Sequence, residues 1–187
     1  MSKVIDMPRE LILTAARNIL YNEGYEKLSM RNIAKQCDIS LGTIYNYYPS
    51  KKDLVIEMMM GYWKGFFKVL EDLDKSQQNF YVKLFDIHNE LSQFIKTFKK
   101  MWLVREIYDT PDYIAEGLNK EQASMVMLIL KIEAILVREA SSEHPQIKLK
   151  FNSNETSKFI VMNLITMAQN PMFKYETFEA FLKELLK

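Results

Sequence analysis

The chain has 187 residues, of which 48% are hydrophobic and 26% are charged, and its net charge is +1. This composition excludes intrinsic disorder and supplies enough apolar material for a packed core. The single cysteine, Cys37, excludes an intramolecular disulfide. The longest apolar run, 125–130, is too short to cross a bilayer, and the first ten residues hold no apolar signal segment. We therefore expect a cytoplasmic protein without a membrane partner.

Apolar residues recur with the period of a helix through the first third of the chain, and Gly24 follows the first apolar stripe as a stop signal. Ser29, Ser40 and Ser50 stand where N-caps are expected. The predicted helices of this part are 8–22, 30–36, 41–46 and 51–73.

Helical periodicity continues to the end of the chain, so we expect an all-α fold. Pro111 opens one predicted helix in its first turn, and Asn119 is expected to cap a separate long helix that ends near residue 140. The other predicted helices are 79–99, 102–108, 153–167 and 177–186.

The short helices 30–36 and 41–46 are joined by a turn of a few residues, which is typical of a helix-turn-helix. The second helix of such a pair fits the major groove of DNA, and the first braces it there. Ile39 and Ile44 are expected to anchor the turn and the second helix in the core. The residues expected on its exposed side are Leu41, Gly42, Thr43, Tyr45 and Asn46.

These exposed side chains suit a DNA groove. Gly42 lets the backbone approach closely because it has no side chain. Thr43 can donate or accept a hydrogen bond, or place its methyl group against a thymine methyl. Tyr45 can lay its ring on a base edge or reach a phosphate oxygen with its hydroxyl.

Phosphate contacts are expected around the same segment. Tyr47 and Lys51 follow the second helix, and Ser29 stands at the start of the first. The stretch 27–52 contains one acidic residue, Asp38, against five basic ones, which are Lys27, Arg31, Lys35, Lys51 and Lys52.

Spacing and charge leave a second interpretation open. Tyr45, Tyr47 and Tyr48 at helical spacing can equally be core packing, and a few lysines usually form a solvated face. Cys37 is interpreted more simply as a small buried residue than as a redox switch.

The residue order adds a specific resemblance. The run SMRNIA at 29–34, followed by ISLGTIYNYYPSKKDL at 39–54, closely resembles the N-terminal region of TetR-family transcriptional regulators. The resemblance covers residues 8–59. It implies a homodimeric, ligand-responsive regulator, a repressor, whose N-terminal domain binds a palindromic DNA operator. The implied recognition helix is 41–46, with phosphate contacts at Tyr47 and Lys51 and with Tyr45 near bases or backbone.

The chain departs from the family pattern at three positions. Cys37 stands for the usual alanine, Asp38 for the turn glycine and Tyr48 for phenylalanine. Asp tolerates a left-handed backbone better than most residues, so we expect the turn to survive. The added Tyr48 hydroxyl needs a partner or water.

The resemblance implies a division into a helix-turn-helix domain, 1–50, and a helical effector-binding and dimerisation domain, 51–187. The helices 121–138 and 156–167 are apolar over more than one stripe, so each needs a partner inside the subunit and one across the dimer. The last helix, 177–186, is a further contributor to that pairing.

Aromatic residues between the fourth helix and residue 118 suggest a pocket for a small hydrophobic effector. Most of these rings can instead be ordinary core. The candidate effector residues are Trp63, Phe67, Phe85, His88, Trp102, Arg105 and Tyr108.

An enzyme is disfavoured, because the chain has two histidines, His88 and His144, one thiol and no Gly-rich phosphate loop. The same scarcity of ligands argues against a metal site, and no cofactor is expected. The alternative function is a helical small-molecule sensor or partner-binding protein that lacks operator-specific DNA binding.

Overall fold

The computed structural model describes residues 8–102, 111–143, 145–170 and 172–187, with the backbone alone for 98–102 and 111–121. Eight α-helices account for the regular structure of this described part, together with the 3-10 turn Tyr25–Lys27. They are α1 (Pro8–Glu23), α2 (Met30–Cys37), α3 (Leu41–Tyr47), α4 (Lys51–Lys75), α5 (Phe80–Trp102), α6 (Pro111–Ala140), α7 (Ser153–Gln169) and α8 (Tyr175–Leu185). The all-α prediction is confirmed.

The chain divides into two compact units, which are Met1–Tyr62 with Lys100–Ile114, and Trp63–Lys99 with Ala115–Lys187. This division falls inside α4, whereas the sequence suggested a boundary at its start. The functional division at residue 50 stays a prediction.

Helices α1, α2 and α3 each contribute buried side chains to the core of the first unit. One stripe of α1 is buried, including Ile12, Ala16 and Ile19, and it packs against α2. Ile33 of α2 and Ile44 of α3 have no exposed surface. Helices this short are unstable in isolation. Burial of such aliphatic side chains contributes about 1.5–3 kcal/mol each and compensates for that instability.

Side chains cap the short helices locally. The Ser29 hydroxyl accepts a hydrogen bond from Asn32 N at 3.1 Å, as the cap prediction requires. Ser50 caps α4 in the same way, since its hydroxyl accepts from Asp53 N at 3.2 Å and donates to the Asp53 carboxylate at 2.7 Å. These caps satisfy amide groups that have no partner inside their helices.

Two residues of the first unit have a positive φ. Gly24, with φ 87° and ψ 172°, turns the chain after α1. Asp38, with φ 54° and ψ 44°, ends α2 in the left-handed conformation, and Ile39 N then donates to Ala34 O at 3.1 Å. The turn therefore survives the replacement of glycine by aspartate, as expected.

The second unit is held by a buried apolar core and by polar ties between long helices. Lys83 of α5 is 6% exposed, and its ammonium donates to Glu139 of α6 at 3.0 Å and to Asp74 O at 3.2 Å. Glu133 of α6 accepts from Ser153 Oγ at 2.6 Å and from Asn154 Nδ2 at 2.8 Å, which lowers the pKa of this carboxyl. These bonds connect α6 to the first turn of α7.

The predicted starts of the later helices agree only in part with the structure. The separate helix capped by Asn119 is wrong, because α6 runs without a break from Pro111 to Ala140. An asparagine inside a helix costs well under 1 kcal/mol relative to alanine, which tertiary packing easily overrides. The predicted helix 102–108 lies almost entirely outside the described residues. Helix α7 is capped by Asn152, whose side chain accepts from Asn154 N and Glu155 N.

A membrane span requires a helix of sufficient length and hydropathy. Every helix of the described ranges is too short or too polar to span a bilayer.

Candidate nucleic-acid interface

Helix α3 buries one side and exposes the other. Ile44 has no exposed surface and Tyr48, just after the helix, is 1% exposed, so both belong to the core. Tyr45 is 47% exposed and Tyr47 37%. Of the other predicted contact residues, Gly42 and Asn46 are exposed, whereas Leu41 and Thr43 are half-buried. The aromatic cluster thus splits, with Tyr48 in the core and two tyrosines at the surface.

The start of α3 has a hydrogen-bonded pair of hydroxyls. Ser40 Oγ accepts from Thr43 N at 3.0 Å, as its cap role requires, and lies 2.8 Å from Thr43 Oγ1. This bond restricts the χ1 rotation of Thr43. The Thr43 hydroxyl is therefore held in one orientation.

Lys51 begins α4 and leans back toward the 3-10 turn. Its ammonium lies 3.7 Å from the centroid of the Tyr25 ring and 3.5 Å from the Tyr25 carbonyl oxygen. Sequence reasoning named Lys51 and missed Tyr25, because the two residues are 26 positions apart and no local pattern links them.

A polar group that the sequence did not indicate lies beside Tyr48. Arg9 of α1 forms a bidentate ion pair with Glu57 of α4, one bond of which is 2.8 Å, and its guanidinium lies 5.5 Å from the Tyr48 ring centroid. Burial, followed by the charge of Glu57, raises the pKa of Tyr48 to about 12. The hydrogen bonds from Arg9 lower the pKa of Glu57. The pair ties α1 to α4 within the first unit.

Cys37 lies in the core, 8% exposed, and its thiol is 3.7 Å from the Leu11 carbonyl oxygen. Burial raises the pKa of the thiol. A thiol in this state is a poor nucleophile, which fits the buried-residue interpretation.

The candidate effector residues fall into two aromatic groups of the second unit. Trp63 and Phe67 stack at 5.7 Å, and Trp63 also packs against Phe94 at 4.5 Å. Phe85 and His88 instead both contact Tyr175 of α8, at 5.0 and 4.9 Å. The side chain of Trp102, and Arg105 and Tyr108, lie outside the described residues.

The second aromatic group contains two buried polar atoms. His88 Nδ1 and the Tyr175 hydroxyl have no hydrogen-bond partner among the described residues. Burial lowers the pKa of His88 and raises that of Tyr175. Both groups are therefore neutral near pH 7.

A cleft of about 440 Å³ lies between α5 and α7. Its lining contains none of the candidate effector residues and presents both polar and apolar atoms. The lining residues are Asn89, Ser92, Gln93, Ile95, Lys96, Ala168 and Gln169.

Helices α6 to α8 expose many apolar side chains. On α6, Val126 is 56% exposed and Leu130 50%, and these positions are one helical turn apart. Phe159 and Met162 of α7 are 46% and 54% exposed. The remaining exposed large apolar residues among the described side chains of the three helices are Met127, Val137 and Phe181.

Comparison with known proteins agrees with the helix-turn-helix geometry. A family profile described as bacterial regulatory proteins, tetR family, matches residues 12–58, which include α2, α3 and the first turns of α4. The helix-turn-helix segment of this chain is therefore similar to that of the TetR family. The matched residues contain the helix-turn-helix formed by α2 and α3.

Two relatives extend the comparison. An uncharacterized HTH-type transcriptional regulator, YuxN of Bacillus subtilis (strain 168), is 39% identical over 62 residues, which are 33% of this chain and 21% of that protein. The HTH-type transcriptional regulator UidR of Escherichia coli (strain K12) is 28% identical over 165 residues, which are 82% of this chain and 76% of UidR. The match with YuxN thus spans about a fifth of its length.

A solved structure shares the whole fold. The crystal structure of a transcriptional regulator from Cytophaga hutchinsonii ATCC 33406 superposes with a TM-score of 0.74 at 18% identity, and the match covers 96% of this chain and 93% of that one. At this identity the likeness concerns the fold alone.

Proposed function

We propose that this protein is a TetR-family, ligand-responsive transcriptional repressor that binds a palindromic DNA operator as a homodimer. The observation that carries the proposal is that α3 buries one side in the core and exposes the other. Ile44 anchors the helix while Gly42, Tyr45 and Asn46 remain exposed. An α-helix supported in this way can enter a major groove.

Residues of α3 and of the segments on either side of it receive roles at the DNA. Gly42 lets the backbone approach the base edges, and the Thr43 and Tyr45 side chains contact bases or the adjacent backbone. Tyr47 and Lys51 bind phosphate oxygens on one side of the groove, and the N-terminus of α2 at Ser29 binds them on the other. The phosphate contacts supply affinity, whereas the base contacts select the sequence.

The exposed apolar residues of α6 and α7 support the homodimer. Val126, Leu130, Phe159 and Met162 are about half exposed. Exposed apolar side chains on long helices are typical of protein interfaces, and a second copy of the same chain supplies a matching surface about a twofold axis. Helix α8 contributes through Phe181.

The second unit is proposed to bind a small hydrophobic effector. Trp63 and Phe67 in one aromatic group, and Phe85 and His88 in the other, are the described residues proposed to respond to it. In the dimer the two recognition helices enter successive major grooves about 34–36 Å apart. An effector that binds better to a state with another spacing lowers operator affinity. Helix α4 contains residues of both units and is proposed to transmit the effect of effector binding to the recognition helix.

The test is the selection of binding sites from a pool of random DNA duplexes, followed by gel-shift titration. We expect a palindrome with half-sites about one helical turn apart. Thr43→Ala should change the preferred base at one position of each half-site, while Lys51→Ala weakens binding to all sequences. Enrichment of no sequence by the folded protein would contradict the proposal and favour a sensor that lacks operator binding.

A further inference from the structure

Tyr25 and Lys51 meet at the edge of the proposed interface. Tyr25 is the first residue of the 3-10 turn, and Lys51 is the first residue of α4. The Lys51 ammonium lies 3.7 Å from the Tyr25 ring centroid and 3.5 Å from the Tyr25 carbonyl oxygen. One residue thus holds the same ammonium through its ring and through its backbone.

The turn itself holds Tyr25 in place. Its carbonyl oxygen also accepts from Leu28 N at 3.0 Å, and Leu28 is 1% exposed. Gly24, just before, adopts a φ of 87° and a ψ of 172°, a conformation that other residues essentially never reach. The position of the Tyr25 carbonyl is therefore set by the core of the first unit.

We propose that Tyr25 is a positioning residue for DNA binding, which holds the Lys51 ammonium where it meets a phosphate oxygen. The proposal rests on the DNA-binding function proposed above. The ring face attracts the cation, and the carbonyl takes one of the three N–H donors of the ammonium.

The physical benefit is preorganisation. A free lysine side chain samples many rotamers and loses that freedom when it binds a phosphate. An ammonium already held over a ring loses less, so the same phosphate contact contributes more to affinity. Removal of the ring should weaken binding without removing the charge that contacts DNA.

A double-mutant cycle tests this coupling. The variants are Tyr25→Leu, Lys51→Met and both together, with Tyr25→Phe as the control that keeps the ring face. Dissociation constants are measured on the selected operator at several salt concentrations. Circular dichroism melts check that each variant is folded.

Four results are expected. Tyr25→Leu weakens binding about two- to fivefold and leaves the salt slope unchanged, because Lys51 still contacts the phosphate. Lys51→Met reduces the slope by about one unit. In the Lys51→Met background, Tyr25→Leu has no further effect on affinity. Tyr25→Phe alone binds like the parent protein.

Other results would overturn the proposal. If Tyr25→Leu weakens binding by the same factor in both backgrounds, Tyr25 acts by packing alone. If it tightens binding, the ring withholds Lys51 from DNA. Failure of the parent protein to bind any duplex would instead contradict the proposed function itself.

A second variant covers the case in which Tyr25→Leu does not fold. A trifluorinated phenylalanine at position 25 keeps the shape of the Tyr25→Phe side chain and removes most of the negative charge from the ring face. We expect it to bind DNA more weakly than Tyr25→Phe. Equal affinity of these two variants would exclude a cation–π role.

Discussion

The helix-turn-helix segment and the long helices of the second unit are built in different ways. Helices α2 and α3 have eight and seven residues, and each is capped by a serine that stands beside it in the sequence. Helix α6 has 30 residues and exposes an apolar side that includes Val126 and Leu130. In the first region a residue's role follows from its neighbours in the chain, whereas in the second it depends on what packs against it.

This difference teaches where substitutions act. In the helix-turn-helix segment, a substitution at an exposed position should change the affinity for DNA and leave the fold intact. In the second unit, a change at an exposed apolar position should affect assembly first and DNA binding only through it. The four predictions below test this contrast, from the largest expected effect to the smallest.

The largest effect is expected at Leu130 of α6. Leu130→Glu should place a charge in the proposed dimer interface and yield a folded monomer, as measured by sedimentation velocity. Operator affinity should fall about a hundredfold or more, because two linked contacts become one. Val82→Glu on α5 is the control, since Val82 is 41% exposed. Persistence of a dimer in Leu130→Glu would exclude this face.

Gly42→Ala should separate stability from DNA binding. A Cβ at position 42 would lie 3.7 Å from Ser40 Oγ, an ordinary contact, so the substitution should stabilise the protein by about 0.5–1 kcal/mol. The added methyl group should obstruct the groove and weaken operator binding about tenfold. Gly65→Ala in α4, where a Cβ meets nothing within 4 Å, is the matched control and should change stability alone. Unchanged operator affinity in Gly42→Ala would contradict close backbone approach.

Asp38→Gly should raise the unfolding midpoint. Asp38 has a φ of 54°, and glycine adopts this conformation without the steric cost, so the expected gain is about 1 kcal/mol. For a chain of this size that corresponds to about 2–4 °C in thermal melts. Asp38→Asn separates charge from conformation and should give a smaller gain. A lower midpoint for Asp38→Gly would show that the aspartate side chain stabilises the turn.

The smallest effect is expected from His88. Burial lowers its pKa, so the unfolded chain binds a proton at a higher pH than the folded one. Stability should therefore be complete above the unfolded pKa of about 6.5 and decrease as the pH falls below it. His88→Gln should flatten this part of the pH profile of thermal unfolding. An equal decrease in both proteins would assign the acid sensitivity to other groups.

Local signals in the sequence predicted the helix-turn-helix segment well. A cap needs a hydroxyl beside the first turn, and a turn in the left-handed region needs glycine, asparagine or aspartate, so Ser29, Ser40 and Asp38 could be recognised in place. The exposure of Tyr45 and burial of Ile44 follow from the helical period. The contact of Tyr45 with DNA stays a prediction.

Contacts between distant parts of the chain could not be predicted in this way. Arg9 and Glu57 are 48 positions apart, and Lys51 meets Tyr25 across 26 positions. Helical periodicity marks which side chains are apolar, but it does not tell a ring packed on another ring from a ring that lines a cavity. For the same reason the sequence grouped Phe67 with Phe85, which the structure places in separate aromatic groups.

The sequence by itself determined that the chain is helical, that α2 and α3 form a helix-turn-helix and that their caps are serines, because each of these depends on residues within one or two turns of a helix. The tertiary structure decided which charges meet, where the aromatic rings pack and that α6 runs through Asn119. Those outcomes depend on the burial of surfaces that lie far apart in the chain, and the free energy of that burial exceeds the local preferences of single residues.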